Sequence, residues 1–330
     1  LLSAKCTSGI CQSSTEFTIE YTQDVSNKAI SGRVILILNQ DTLVDPDIPN
    51  PYNPTITFGM NFKNWIPGEK LILNSHNTDS YLSTIVDLRG SYSLRALIDI
   101  DTTSTSLFKD GVFFSEKIVF TLVPEGVNSV EIQVNNVLSG YGFKESENIR
   151  LLKLQSKLLS NFYKTPTFIE AAVILPESYN KSTDRQYPVV FVMPGWGATH
   201  ITPTARNGAM QVKRYGMSGY GEEKIFVFLN QDSRYGYHVF ADSENNGPRA
   251  TSFVEEFIPK LEKEYRVVKN PNARYLIGQS SGAWAALWLM INYPDKFGMA
   301  WSGSPDPVDF RDFIGHDLYS KEANFFYDEK

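Results

Sequence analysis

Ala273-Arg274-Tyr275-Leu276-Ile277-Gly278-Gln279-Ser280-Ser281-Gly282-Ala283-Trp284 is the run on which the reading of this chain turns. Residues 275–277 form a short apolar stretch of the kind that makes a buried strand. Beyond it Trp284, Leu287, Trp288 and Ile291 recur at i, i+3, i+4 and i+7, which predicts a helix buried on that face and stopped by Pro294. Between strand and helix stands G-x-S-x-G. A serine at so sharp a turn stands clear of the sheet, and glycines two residues before and two after it leave room for a strained backbone. The following helix aims its first amides and its positive dipole end at charge developing on a substrate oxygen. Ser280 is therefore the candidate nucleophile. Ser281, one residue out of register with the glycines, is expected to lend its backbone N–H to an oxyanion hole.

Working outward, residues 172–175, Val189–Met193 and Ile225–Leu229 are further short apolar runs alternating with helical patterns, the grammar of a mostly parallel α/β sheet. Phe253, Phe257 and Leu261 share a helical face, and Pro259 among them predicts a kink or restart. The strand Val189–Met193 runs into Pro194-Gly195-Trp196-Gly197-Ala198, where glycines let backbone approach a substrate carbonyl; Trp196 or Gly197 is the candidate second oxyanion donor, against the plainer reading of a Gly-rich turn. Upstream the period changes to two: Phe17, Ile19 and Tyr21; Tyr92, Leu94, Ala96, Ile98 and Ile100; Ile118, Phe120 and Leu122; Val130, Ile132 and Val134. An antiparallel, immunoglobulin-like β-sandwich is expected there. The expected organisation is a tail over 1–14, the sandwich over 15–147 and the α/β domain over 148–330.

The chain is 42% hydrophobic and 21% charged, which suits large packed cores, and its net charge of −6 with no basic stripe argues against nucleic acid and anionic membranes. No apolar run is long enough to insert in a membrane. Cys6 and Cys11 are the two cysteines, read as a small local disulfide or two unpaired thiols; they are too few for a structural zinc site. The chain opens Leu1-Leu2-Ser3-Ala4, which resembles the tail of a secretory leader.

Several longer motifs in one order carry a family resemblance: Ser156-Lys157-Leu158-Leu159-Ser160, Ala241-Asp242-Ser243-Glu244-Asn245-Asn246-Gly247-Pro248, the elbow at Ser280, and Ser304-Pro305-Asp306-Pro307-Val308-Asp309-Phe310-Arg311. The stretch 149–319 resembles the "Putative esterase" branch of the α/β-hydrolases, which includes esterase D, feruloyl esterases, mycolyltransferases and enterochelin esterases. More narrowly, it resembles a group of bacterial enterochelin esterase-like proteins. Gln279 and Ala283 depart from the His and Gly expected beside the serine in that group. The resemblance implies an acyl-enzyme mechanism and an α/β-hydrolase fold, and it does not choose the substrate.

In that fold the acid and then the histidine of the triad follow the serine. After Ser280 the sequence supplies one further strand near 299–302 and the loop around Asp306, without a pair of additional strands to carry both loops, so truncation at the C-terminus is expected. Asp306 is a candidate acid. His316 is the single histidine after the serine and a candidate base, set against a surface histidine. His238 precedes the serine, the wrong order for a base; with Asp242 and Asn246 it is a candidate lining of the substrate pocket, set against an ordinary hydrogen-bonded loop.

The expected function is a serine carboxylic-ester hydrolase without metal or organic cofactor, acting on a small-molecule or carbohydrate-linked ester such as a siderophore trilactone or a feruloylated or acetylated sugar. Its rivals are an acyltransferase of the same fold and a noncatalytic carbohydrate- or siderophore-binding homologue. Neither nucleic acid nor membrane insertion is expected, and no oligomeric state is read. A periplasmic or secreted location is favoured over the cytoplasm.

Overall fold

The computed structural model describes residues 14–47, 55–101, 103–107, 109–123, 126–204, 222–313 and 315–321. Cys6, Cys11 and all but Ser14 of the expected tail lie outside these. The chain divides into two compact units, Leu1–Gly142 and Phe143–Lys330. The division falls ahead of the expected 147/148 because Phe143 and Ile149 pack with Ala172, Ile174 and Phe228 of the second unit.

Among the described residues the first unit holds nine strands: β1 (Ser14–Tyr21), β2 (Ile30–Asn39), β3 (Ile56–Trp65), β4 (Leu71–Leu73), β5 (Asp79–Tyr81), β6 (Ser91–Asp99), β7 (Phe113–Ser115), β8 (Ile118–Thr121) and β9 (Val127–Val137). They join in one hydrogen-bonded path, β4-β1-β9-β7-β6-β2-β3-β5, with β8 also on β6. Strand β9 shows the expected alternation, with Val130, Ile132 and Val134 inward. The sheet folds over on itself. Strands β9, β7, β6 and β2 lie between β1 and β3, which in a flat sheet would stand roughly 24 Å apart at about 4.8 Å per strand. Instead the rings of Phe17 and Phe58 are 6.2 Å apart and those of Tyr21 and Trp65 are 4.8 Å apart. Tyr21 also donates its hydroxyl to the Trp65 carbonyl at 2.8 Å, so the buried phenol keeps a partner. The expectation of a wholly antiparallel arrangement fails at one place: β1 and β9 run parallel from Ser14↔Val127 to Tyr21↔Val134. Side-chain alternation is the same for both strand directions and cannot tell them apart.

The second unit contains β10 (Ile149–Ser156), α1 (Lys157–Tyr163), β11 (Thr167–Ile174), β12 (Val189–Met193), β13 (Ile225–Leu229), α2 (Arg249–Ser252), α3 (Ile258–Glu264), β14 (Arg274–Ser280), α4 (Ser281–Asn292) and β15 (Met299–Pro305). Its sheet runs β10-β11-β13-β12-β14-β15. The strands from β13 to β15 are parallel, and β10 and β11 pair antiparallel. Strands β12 and β13 are apolar nearly throughout, as strands covered on both faces must be. Because β12 lies between β13 and β14, the strand order reverses there, and the crevice past the strands' C-terminal ends is where such sheets bind ligands.

Helix α1 begins where the sequence supplies a cap. The Ser156 hydroxyl accepts from the Leu159 amide at 3.0 Å, while Glu256 accepts from the amides of Lys157 and Leu158 at 3.0 and 3.2 Å. Glu256 sits on a π-helical turn, Phe253–Phe257, that separates α2 from α3. The expected restart at Pro259 is present: proline falls in the first turn of α3, where its missing N–H breaks no helical bond. Phe253 is fully buried against Phe191, Phe240, Phe257 and Phe297.

Helix α4 exists as expected but turns a different face inward. Gly282, Ala285, Ala286 and Leu289 are buried, whereas Trp284, Leu287 and Trp288 are half-buried and Ile291 is 74% exposed. Both stripes obey the same spacing. The small one wins because α4 must lie close against β12, β14 and β15, and bulky side chains would hold it away. Among the described residues no helix is long and apolar enough to cross a membrane.

Candidate active site

Strand β14 ends and α4 begins at Ser280, whose backbone has φ 55° and ψ −129°. For a residue with a Cβ this is a sparsely populated conformation costing about 1–3 kcal/mol, and such strain persists where surrounding structure imposes it. The surroundings are tight. A Cβ at Gly278 would run into the Gly282 carbonyl, and one at Gly282 into the Met193 carbonyl. The two glycines of G-x-S-x-G thus let the elbow, the helix start and the end of β12 share one space. The side chain of Ser280 is exposed at the top of the sheet.

Asp306 is brought directly to the serine: Ser280 donates its hydroxyl to Asp306 Oδ1 at 3.1 Å. The register of β14 on β15 slips between Gln279 and Ser280, leaving Ser280 opposite Pro305 and Asp306 just beyond it. A bulge of this kind re-aims a side chain at a strand end. No imidazole lies between hydroxyl and carboxylate, and among the described residues no histidine bonds to either group. His316 pairs its backbone with Phe313 in a turn.

The residues after β12 make the turn that the sequence suggested. The Ala198 amide donates to the Gly195 carbonyl at 3.1 Å and Gly197 has φ +83°, as a type II turn requires at its third residue. A Cβ at Gly195 would meet the Gln279 carbonyl at 3.1 Å and the Ser280 Cβ at 3.8 Å, so this turn lies against the elbow. Of the two candidate donors, Gly197 has its amide near the Tyr237 hydroxyl, where it partly offsets the rise in the phenol's pKa caused by burial and by Asp232. The Trp196 amide stays outside the turn's own hydrogen bond. Its side chain is 83% exposed. Ser281 heads α4, where its amide is one of the orphan donors at a helix start.

The three pocket candidates are committed to the scaffold. His238 is buried; its Nδ1 accepts from the Phe240 amide at 3.1 Å, and it also bonds to the Asn230 backbone. Burial, and after it the nearby Arg249 guanidinium, holds its pKa well below the ordinary value, so it is neutral. It lines a small cavity with Asn230, Asp232, Phe240 and Arg249. Asp242 caps α2, accepting from Ala250 N at 2.7 Å and from the Thr251 hydroxyl at 2.6 Å. Asn246 has its side-chain Oδ1 3.1 Å from the Ser233 hydroxyl and accepts from the Tyr163 hydroxyl on its backbone carbonyl at 3.0 Å. His200, which carried no sequence pattern, is buried with Nε2 3.7 Å from Glu170. Burial lowers its pKa; Glu170 opposes this.

Two further residues at the site gave no sequence signal. Gln231, fully buried just past β13, donates from Nε2 to the Pro194 carbonyl, and Tyr237 lies on the same loop. Polar residues in a loop between strands carry no period, so pattern reading passes over them. Among the described residues no cluster of three or more His, Cys, Asp or Glu could hold a metal ion.

Residues 164–325 match the family model described as "Putative esterase". A curated relative, the "Uncharacterized protein YbbA" of Bacillus subtilis (strain 168), is 25% identical over 136 residues, covering 38% of this chain and 51% of that protein. The chain thus spans about half the length of that relative. Similar solved structures include a ferulic acid esterase (24% identity, TM-score 0.40, 47% of this chain and 60% of that one). Another is the S-formylglutathione hydrolase of Agrobacterium tumefaciens (14% identity, TM-score 0.38, 52% and 63%). The α/β unit of this chain, with the strand-turn-helix at Ser280, is thus similar to the "Putative esterase" family over residues 164–325.

Proposed function

We propose that the α/β unit is a serine carboxylic-ester hydrolase in which Ser280 attacks the ester carbonyl and carries the acyl group. The observation that carries this reading is the strained, exposed Ser280 between β14 and α4, with its hydroxyl already held by Asp306. Attack would place negative charge on the carbonyl oxygen, and the amides of Ser281 and Trp196 flank the serine as donors for it. Water then releases the acid from the acyl-enzyme.

Among the described residues no hydrogen bond links a histidine to Ser280 or Asp306. His238 is spent on structural bonds, and His316 closes a backbone turn with Phe313. For the first unit we propose an immunoglobulin-like sandwich, on the strength of its folded-over sheet.

The direct Ser280–Asp306 contact favours a second reading, a homologue that binds an ester or sugar without cleaving it. Treating the full-length protein with a fluorophosphonate and mapping the adduct by mass separates the two. One adduct on Ser280, absent from Ser280→Ala, supports the hydrolase; an unlabelled, folded protein supports the binding homologue.

A further inference from the structure

The turn Gly195–Ala198 is braced at both ends by one neighbouring loop. The loop leaving β13 donates from Gln231 Nε2 to the Pro194 carbonyl, immediately before the turn, and places the Tyr237 hydroxyl near the Gly197 amide within it. Neither contact belongs to a strand ladder or a helix. Gln231 is fully buried, so its hydrogen bond is shielded from water. The loop itself is held: His238 donates its amide to the Gln231 carbonyl at 3.0 Å, the Ser233 hydroxyl donates to the Gly236 carbonyl at 2.6 Å, and Gly236 donates back to Ser233 at 3.0 Å. The buried His238 ring anchors the loop's far end through Phe240. Rigid support therefore runs from the core, through this loop, to the turn beside Ser280.

A turn on a glycine pair needs such support. Gly195 and Gly197 permit the close approach to the elbow and the positive φ, but they also leave the turn free to move, because glycine gives up the most conformational freedom on ordering. An oxyanion donor acts by being in place before charge develops, and a displacement of about 1 Å can cost on the order of 100-fold in rate. We propose that Gln231 and Tyr237 are positioning residues that hold the Trp196 amide at the oxyanion of Ser280. This rests on the esterase reading for its catalytic consequence, but the bracing is a property of the turn itself.

The test uses Tyr237→Phe and Gln231→Glu in the full-length protein. Each keeps the side chain's shape while removing the acceptor or the donor. Two measurements are made: hydrolysis of p-nitrophenyl acetate, and amide hydrogen exchange across the turn. Each variant is expected to lose about 10- to 100-fold in kcat with KM within about twofold, since positioning is felt at the transition state. Exchange of the turn should quicken while that of α4 is unchanged. The double variant should lose less than the product of the single losses, because both side chains act on one turn. Wild-type kcat together with wild-type exchange in both variants overturns the proposal. If the wild type itself shows no turnover dependent on Ser280, the esterase reading fails, and the exchange measurement alone still decides whether the two side chains brace the turn.

Discussion

The Ser280 hydroxyl donates to Asp306 Oδ1 at 3.1 Å across the ends of two neighbouring parallel strands, β14 and β15. In a triad built as acid, histidine and serine, an imidazole separates the two outer groups. Here carboxylate and hydroxyl meet without one. The carboxylate therefore fixes the resting rotamer of the serine, and a base entering the site would slot between the two or displace the bond. Asp306→Asn keeps the shape and removes the charge. The expected outcome is a loss of about 100-fold or more in kcat, with the fold unchanged by circular dichroism. Activity within a few-fold of wild type would show that Asp306 only parks the hydroxyl.

Gly282 has no room for a methyl group, since its Cβ would collide with the Met193 carbonyl at the end of β12. Gly282→Ala should cost about 1–3 kcal/mol through overpacking. At roughly 2–4 °C per kcal/mol for a unit of this size, the melting temperature should fall by about 2–12 °C. Because the displaced atoms belong to the strand that carries the 195–198 turn, labelling of Ser280 should fall well beyond what the loss of stability explains. Thermal unfolding and probe kinetics on one preparation check both parts.

His238 and His200 link stability to pH, and the sign follows from their burial. Both are held below the ordinary 6.5 in the folded chain, chiefly by desolvation; Arg249 pushes His238 further down, and Glu170 partly opposes the shift of His200. Above pH 6.5 neither state binds these protons. As pH falls through 6.5 the unfolded chain takes them up and the folded chain resists, so stability is lost toward acid, at up to about 1.4 kcal/mol per pH unit for each proton. Denaturant unfolding between pH 7.5 and 5.5 should show this slope, and His238→Gln should reduce it. An unchanged slope in that variant would remove His238 as its source.

What the sequence disclosed was whatever leaves a period or a fixed spacing. The elbow at Ser280, the restart at Pro259 and the alternation of β9 follow from local rules that tertiary structure did not override. The face of α4 was misread because two stripes share one spacing, and the larger, more hydrophobic one is not the one that fits against the sheet. Gln231 and Tyr237 were invisible because their partners are backbone atoms of another loop, and no pattern in either segment points to the other. Asp306 was legible only by its place after a strand; its contact with Ser280 depends on a register slip that side-chain type does not encode.

The parallel pairing of β1 with β9 has a temporal consequence. The two strands meet 113 residues apart in the chain, as at Glu20 and Gln133. On a ribosome adding about 5–20 residues per second, β1 would emerge on the order of ten seconds before its partner exists. Its other edge finds β4 sooner, through Phe17, Thr18 and Ile19. Closure of the first unit is thus a late event of high contact order, set by arrival of its last strand and slow for the same reason that other sheets joined across long loops are slow.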